Sequence, residues 1–347
     1  MKVILAPDSY KGCMTAAQVA AAMASALREL HPDWELVELP LADGGEGTVE
    51  AVMSALGGKL LQAKVSDPLG RQVTASYGLC GDLAVVEVAE ACGLKHLAPS
   101  ERNPLIASSS GVGELLLAAR SQGASRFLIG LGGTATCDGG AGMMDVPGLK
   151  EALEGCSFEL LCDVDNPFTG PEGAARIFAP QKGASPADVE TLEERLTALA
   201  KVMLTETGMD ISLRPGAGAA GGLGGAFMAY FNAASVSGID RILTLAGFDS
   251  LAEGADLIVT GEGKSDLQTL SGKVPLGVLR RAYNIPVILI SGRIEDLETL
   301  QEAGFSQLLQ VSPENLSDEE ATQKIVAIAN LRQAIFTLFD GHCLYAE

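Results

Sequence analysis

Histidine is scarce in this chain: there are three among 347 residues, His31, His96 and His342. His31 precedes Pro32 at an expected helix end, His96 follows Lys95 in a loop, and His342 lies in the tail. None has an acidic or nucleophilic companion nearby in sequence, so acid–base work falls to carboxylates or lysines. Cysteine is present but unpaired. The seven residues Cys13, Cys80, Cys92, Cys137, Cys156, Cys162 and Cys343 include no C-x-x-C pair. An odd number at irregular spacing excludes a disulfide framework or a zinc cluster and leaves buried free thiols. No apolar run reaches the roughly 18 residues of a membrane span. The opening "MKVILAPDSYKG" breaks at Pro7 and Asp8 and reads as a first strand, not a signal peptide, so a cytoplasmic chain is expected. Positive charge is short as well: 24 Lys and Arg face 44 Asp and Glu, a net charge of −20. That balance disfavours nucleic acid. It also means that a polyanionic substrate must be met by local cations, backbone N–H groups and a metal ion.

What is abundant is apolar and small. Apolar residues make up 47% of the chain, enough for a large core, and the length suits about two domains. The N-terminal part alternates a strand at 2–6, a helix at 15–30 with Thr15 as its N-cap, a strand at 35–41 and a helix at 47–56. The C-terminal part repeats this grammar, with strands at 255–260, 286–292 and 305–311. Its helices fall near 248–253, 275–283, 295–303 and 318–339. Such alternation predicts a parallel, Rossmann-like sheet covered by helices. The middle differs: strands at 72–79, 84–88, 126–131 and 158–162 accompany helices at 112–121 and 186–207. The expected architecture is therefore α/β. Residues 1–60 and 240–347 would form one domain, residues 61–239 an inserted mixed α/β domain, and the active site would lie in a cleft between them.

Glycine contributes 41 residues, and the excess is clustered. The clusters are "ADGGEG" at 42–47, "GLGGTATCDGGAG" at 130–142, "PGAGAAGGLGG" at 215–225 and "TGEGKSD" at 260–266. Three follow expected strands, where ligands bind in parallel sheets and where glycine lets backbone approach them. A Walker A loop fails, because its first glycine would fall on Ile258. Gly216, Gly218 and Gly221 match G-x-G-x-x-G, but no clear strand precedes them, and packing of small residues explains them better.

Eight ordered segments together resemble one family. They are "APDSYKG" at 6–12, "PLADGGEGT" at 40–48, "ERNPL" at 101–105, "GVGELL" at 111–116, "GLGGTATCDGGAGM" at 130–143, "CDVDNPFTGPEGAARIFAPQKGA" at 162–184, "PGAGAAGGLG" at 215–224 and "TGEGKSDLQTLSGK" at 260–273. The chain resembles bacterial glycerate kinase of the class I type from its first residue to about 340. The resemblance implies ATP-dependent phosphorylation of D-glycerate with Mg²⁺, 2-phosphoglycerate as the product, and a role in organic-acid catabolism. It also implies two α/β domains. One departure stands out. The family carries about 30 further residues after "GAGMM" at 140–144, where this chain has only "DVPGLKEALEGCSFELL".

Phosphoryl transfer needs positioning and charge neutralisation more than covalent chemistry. Asp163 and Asp165, two residues apart, suit a hard cation or a base beside a metal ligand, with Asn166 completing polar contacts. Asp43 and Glu46 are a second source of carboxylates, and Asp8 at the end of the first strand is a third. Lys11 follows Asp8 by three residues, and Ser9 and Lys11 suit a phosphate or the glycerate carboxylate. The catalytic set is thus expected to be Asp165, Asp163, Lys11 and Asp43, with Asp163 and Asp165 on the metal. Substrate is expected at Asp8, Ser9, Glu46, Arg102, Thr134, Thr136, Asp138 and Asn166. Nucleotide is expected at Lys182, Gly261, Glu262, Gly263 and Asp266, with Lys264 and Lys273 as further cations. Partners are D-glycerate and ATP, the assembly a monomer or homodimer. The rival readings are a two-domain dinucleotide enzyme and a non-catalytic binding protein for a small acid.

Overall fold

The computed structural model describes residues 1–339; His342 and Cys343 lie outside them. The chain divides into two compact units, Met1–Asp43 with Ile239 onward, and Gly44–Gly238. In chain order the strands are β1 (Lys2–Pro7), β2 (Glu35–Glu38), β3 (Lys59–Ser66), β4 (Gln72–Cys80), β5 (Leu83–Glu87), β6 (Arg126–Gly130) and β7 (Ser157–Leu161). They continue as β8 (Ala234–Val236), β9 (Leu257–Gly261), β10 (Lys264–Ser265), β11 (Val287–Ser291), β12 (Arg293–Ile294) and β13 (Gln307–Gln310).

The first unit holds a five-stranded sheet in the order β13-β11-β9-β1-β2, with every pairing parallel. Strands β9 and β11 at its centre are predominantly apolar and buried at every position, Thr260 and Ser291 being their polar residues, as a sheet covered on both faces requires. The chain runs outward from β1 to β2, then returns to the other side of β1 with β9. Strand order therefore reverses between β1 and β9, and ligands of such sheets bind outside the carboxyl ends at that reversal. Helix Ala16–Leu30 begins with a capping box, in which Thr15 and Gln18 satisfy each other's backbone N–H groups. Its Val19, Met23 and Leu27 pack in one cluster with Leu331 and Ile335 of helix Lys324–Phe339. Each such buried side chain contributes about 1.5–3 kcal/mol.

The second unit holds a six-stranded sheet in the order β3-β4-β5-β6-β7-β8. The first three strands pair antiparallel, and β5 through β8 pair parallel. Two sequence expectations need correction. Residues 44–60 pack with this unit and not with the first. The reason is local: Gly58 and Gly78 both lie against the Met53 side chain, which fixes helix Thr48–Leu56 on the hairpin β3-β4. The last helix is also broken, into Asp318–Ala321 and Lys324–Phe339.

A small helical turn, Ala141–Met144, leads into the short stretch after Met144, which folds as a second one, Leu149–Ala152. Met143, Leu149 and Leu153 are buried there, so the shortened connection has its own anchor in the core.

Candidate active site

In the first unit, three adjacent strand ends each deliver an acid. Asp8 follows β1, Asp43 lies beyond β2, and Glu262 follows β9. The backbone N–H of Asp8 donates to Gly261 O at 2.8 Å, which places Asp8 at the strand-order reversal. Burial pushes the Asp8 carboxyl up to about 8, reinforced by the charges of Asp43 and Glu262. The groups that favour its anion come from Ser9, whose N–H donates to Asp8 Oδ1 at 2.6 Å. Lys11 is exposed and Ser9 half-buried. Asp43 is half-buried and acts on Asp8, whereas Glu46 is exposed and belongs to the second unit.

Residues expected at nucleotide have structural duties of their own. Glu262 is buried, and Ser265 Oγ and Thr269 Oγ1 donate to its Oε1 at 3.1 and 2.6 Å. Lys273 Nζ donates to its Oε2 at 3.2 Å. The carboxylate therefore gathers residues 262–273 into one turn, and burial raises its pKa. Gly261 has no room for a side chain, since a Cβ there would fall 1.8 Å from Ile290 O. Gly263 lies 3.2 Å, on the same measure, from Lys11 N. Asp266 caps the turn Leu267–Leu270 by accepting from Gln268 N at 2.9 Å. Lys264 pairs with Glu295 at the surface.

In the second unit, the carboxyl ends of the parallel strands align, with Glu87 beside Gly130 and Gly130 beside Leu161. Three segments meet at this edge. The turn of Gly44 and Gly45 packs on it so closely that a Cβ at Gly44 would lie 2.7 Å from Leu161 Cβ, and one at Gly130 2.5 Å from Gly44 O. The loop Leu131–Asp138 leaves β6, and Cys162–Asn166 leaves β7 without regular structure. Asp163 and Asp165 are exposed, and Asp163 Oδ1 accepts from Gly238 N at 3.2 Å. Asn166 Nδ2 donates to Glu172 O at 2.9 Å.

The loop after β6 is fastened from inside. Asp138 is an internal acceptor: Ser109 N and Ser109 Oγ, both at 2.8 Å, and Gly142 N at 3.2 Å donate to its Oδ2, and Gly140 N at 3.1 Å to its Oδ1. Thr134 and Thr136 are buried. Lys182 is 3% exposed, and its Nζ donates to Thr134 Oγ1 at 2.9 Å and Thr136 O at 2.7 Å. Burial lowers its pKa. Lys182 thus sits as a clamp on the loop and not as a surface cation. Arg102 is half-buried, and its Nε is buried with no partner.

The G-x-G-x-x-G glycines are packing positions. A Cβ at Gly221 would fall 2.0 Å from Thr136 O, and one at Gly218 2.2 Å from Pro167 O. Glu87 went unnoticed in the sequence because it ends an apolar strand alone. It is buried, and burial pushes its carboxyl up to about 7. Among the described residues no three His, Cys, Asp or Glu side chains are grouped to hold a metal ion. Among the described residues no helix is long and apolar enough to cross a membrane.

The model of the glycerate kinase family matches residues 3–150 and 144–339, in two pieces that meet at the shortened connection. The glycerate 2-kinase of Escherichia coli K12 is 40% identical over 376 aligned residues, covering 99% of this chain and 95% of the relative. A glycerate kinase of Bacillus subtilis 168 is 40% identical over 92% of this chain and 93% of the relative. A crystal structure attributed to glycerate kinase 2 of Salmonella typhimurium LT2 superposes with a TM-score of 0.83 at 39% identity, covering 98% of this chain and 99% of that one. On these matches, which run through every segment placed above, the chain belongs to the glycerate kinase family.

Proposed function

We propose that this kinase transfers the γ-phosphoryl group of ATP to the 2-hydroxyl of D-glycerate, in the cytoplasm, and so brings organic acids into glycolysis. The observation that carries the reading is the strand-end edge of the second unit. There a glycine-rich turn, a polar loop and the pair Asp163 and Asp165 are collected by the register of β5, β6 and β7. Phosphoryl transfer asks for this kind of assembly, which positions reactants and places charge, without a covalent nucleophile.

In this reading Asp165 accepts the hydroxyl proton as the phosphoryl group arrives. Asp163 and Asp165 offer only oxygen donors, and two carboxylates suit Mg²⁺, which takes its remaining ligands from water and phosphate. Magnesium, when bound, would neutralise charge on the phosphates. Lys11, Asp8 and Asp43 are likewise assigned to the reactants. The dinucleotide reading loses its basis, because Gly218 and Gly221 are filled by neighbouring backbone. A coupled assay for ADP tests the proposal. Turnover should require both D-glycerate and Mg²⁺, and binding of glycerate without turnover would favour a binding protein instead.

A further inference from the structure

Arg102 stands apart in a chain with 44 acidic residues against 24 basic ones. Arg28, Arg71, Arg126, Arg176, Arg281 and Arg332 each pair with a carboxylate, while Arg120 and Arg195 donate to backbone carbonyls. Arg102 pairs with none among the described residues, and its Nε is buried without an acceptor. A buried donor left unmade costs about 1–3 kcal/mol, more when charged, so such a group calls for a partner that arrives later.

Its placement says what kind. Arg102 ends the turn Pro99–Glu101. Its carbonyl lies against Gly183, whose φ is +98° and where a Cβ would fall 2.6 Å from Arg102 O. The preceding residue, Lys182, holds the loop after β6 through Thr134 Oγ1. The backbone of Arg102 is therefore fixed to the segment that clamps the polar loop. A guanidinium is a planar fork of donors matched to two oxygens of one anion.

We propose that Arg102 binds an oxyanion of the reactants, either the carboxylate of glycerate or a phosphate of the nucleotide. This rests on the kinase reading above. The fork adds charge-assisted hydrogen bonds to an anionic substrate in a chain of net charge −20.

The test uses Arg102→Met and Arg102→Lys in the full chain. Loss of hydrogen bonds to a charged group should reduce kcat/KM roughly 10- to 100-fold. If the anion is the carboxylate, KM rises for D-glycerate and not for ATP. Turnover of the uncharged D-glyceramide is then the same in wild type and variant. If the anion is a phosphate, KM rises for ATP, and inorganic phosphate no longer raises the melting temperature of the variant as it does that of wild type. Folded Arg102→Met with both KM values unchanged and unaltered protection by phosphate overturns the proposal. Should the Met variant not fold, Arg102→Lys decides: it keeps the charge but not the fork, and unchanged KM values for both reactants overturn the proposal equally. A wild-type protein inactive on D-glycerate sinks the kinase reading instead, while protection by phosphate still reports on Arg102.

Discussion

The buried carboxylate of Glu87 accepts from Val49 N at 2.9 Å and so caps helix Thr48–Leu56, whose N-cap Gly47 offers no side chain. Burial raises the Glu87 pKa from 4.5 to about 7, with Glu50 and Glu90 adding to it and Val49 N and Lys95 opposing. The native state therefore binds this proton more tightly than the unfolded chain. Its contribution to stability is greatest below pH 4.5, declines as pH rises toward 7, and is constant above. Glu87→Gln removes the slope. Urea unfolding at pH 5 and 7.5 should show the difference between the proteins changing by at most about 3 kcal/mol. A pH-independent difference contradicts the assignment.

Asp8 follows the same sign over a wider range, from its ordinary 3.8 to about 8, burial being the first cause and Asp43 the second. Its charged form destabilises the fold increasingly from pH 4 to 8. Asp8→Asn should raise the melting temperature at pH 8, leave it unchanged near pH 3.5, and reduce turnover more than about 10-fold, the trade expected of a functional acid kept at a cost in stability. A variant that melts lower at pH 8 would make Asp8 a structural residue.

Asp138 should behave oppositely. Asp138→Ala leaves Ser109 N, Ser109 Oγ, Gly140 N and Gly142 N without their acceptor. A loss of about 1.5–3 kcal/mol in chemical denaturation is expected, in line with removing hydrogen bonds to a charged, half-buried acceptor. A loss under about 1 kcal/mol would return Asp138 to the surface of a binding loop.

Gly221 tests the packing reading of the G-x-G-x-x-G match. Its φ is +69°, and a Cβ would meet Thr136 O at 2.0 Å. Gly221→Ala should destabilise by more than about 3 kcal/mol through strain and overlap. A stable variant with altered nucleotide affinity would revive the dinucleotide reading.

The elements that were legible are those whose burial is periodic. The apolar strands β1, β9 and β11 announce themselves, as does helix Ala16–Leu30 through Thr15. Strand β3 was hidden: it is largely exposed and carries Lys59 and Lys64, so only its pairing with β4 makes it a strand. Helix Leu223–Phe231 was masked by glycines that pack on Phe168 and on neighbouring backbone. In the candidate site, motifs drew attention to these loops but not to the structural duty of each residue. Lys182 and Asp138 read as ligand groups in a string of letters, and only the burial of Lys182 and the partners of both reveal a clamp and an internal acceptor. Arg102 shows the reverse, because a missing partner has no sequence signal.

The central claim is transfer of a phosphoryl group to the secondary hydroxyl of D-glycerate. Phosphorus NMR of a reaction holding the protein, ATP, Mg²⁺ and D-glycerate tests it most directly. The account predicts that the γ-phosphate signal of ATP gives way to a new monoester signal split into a doublet by the single hydrogen on C2. A triplet, from the two hydrogens on C3, would contradict the assignment of the hydroxyl, and the absence of any monoester signal would contradict the kinase itself.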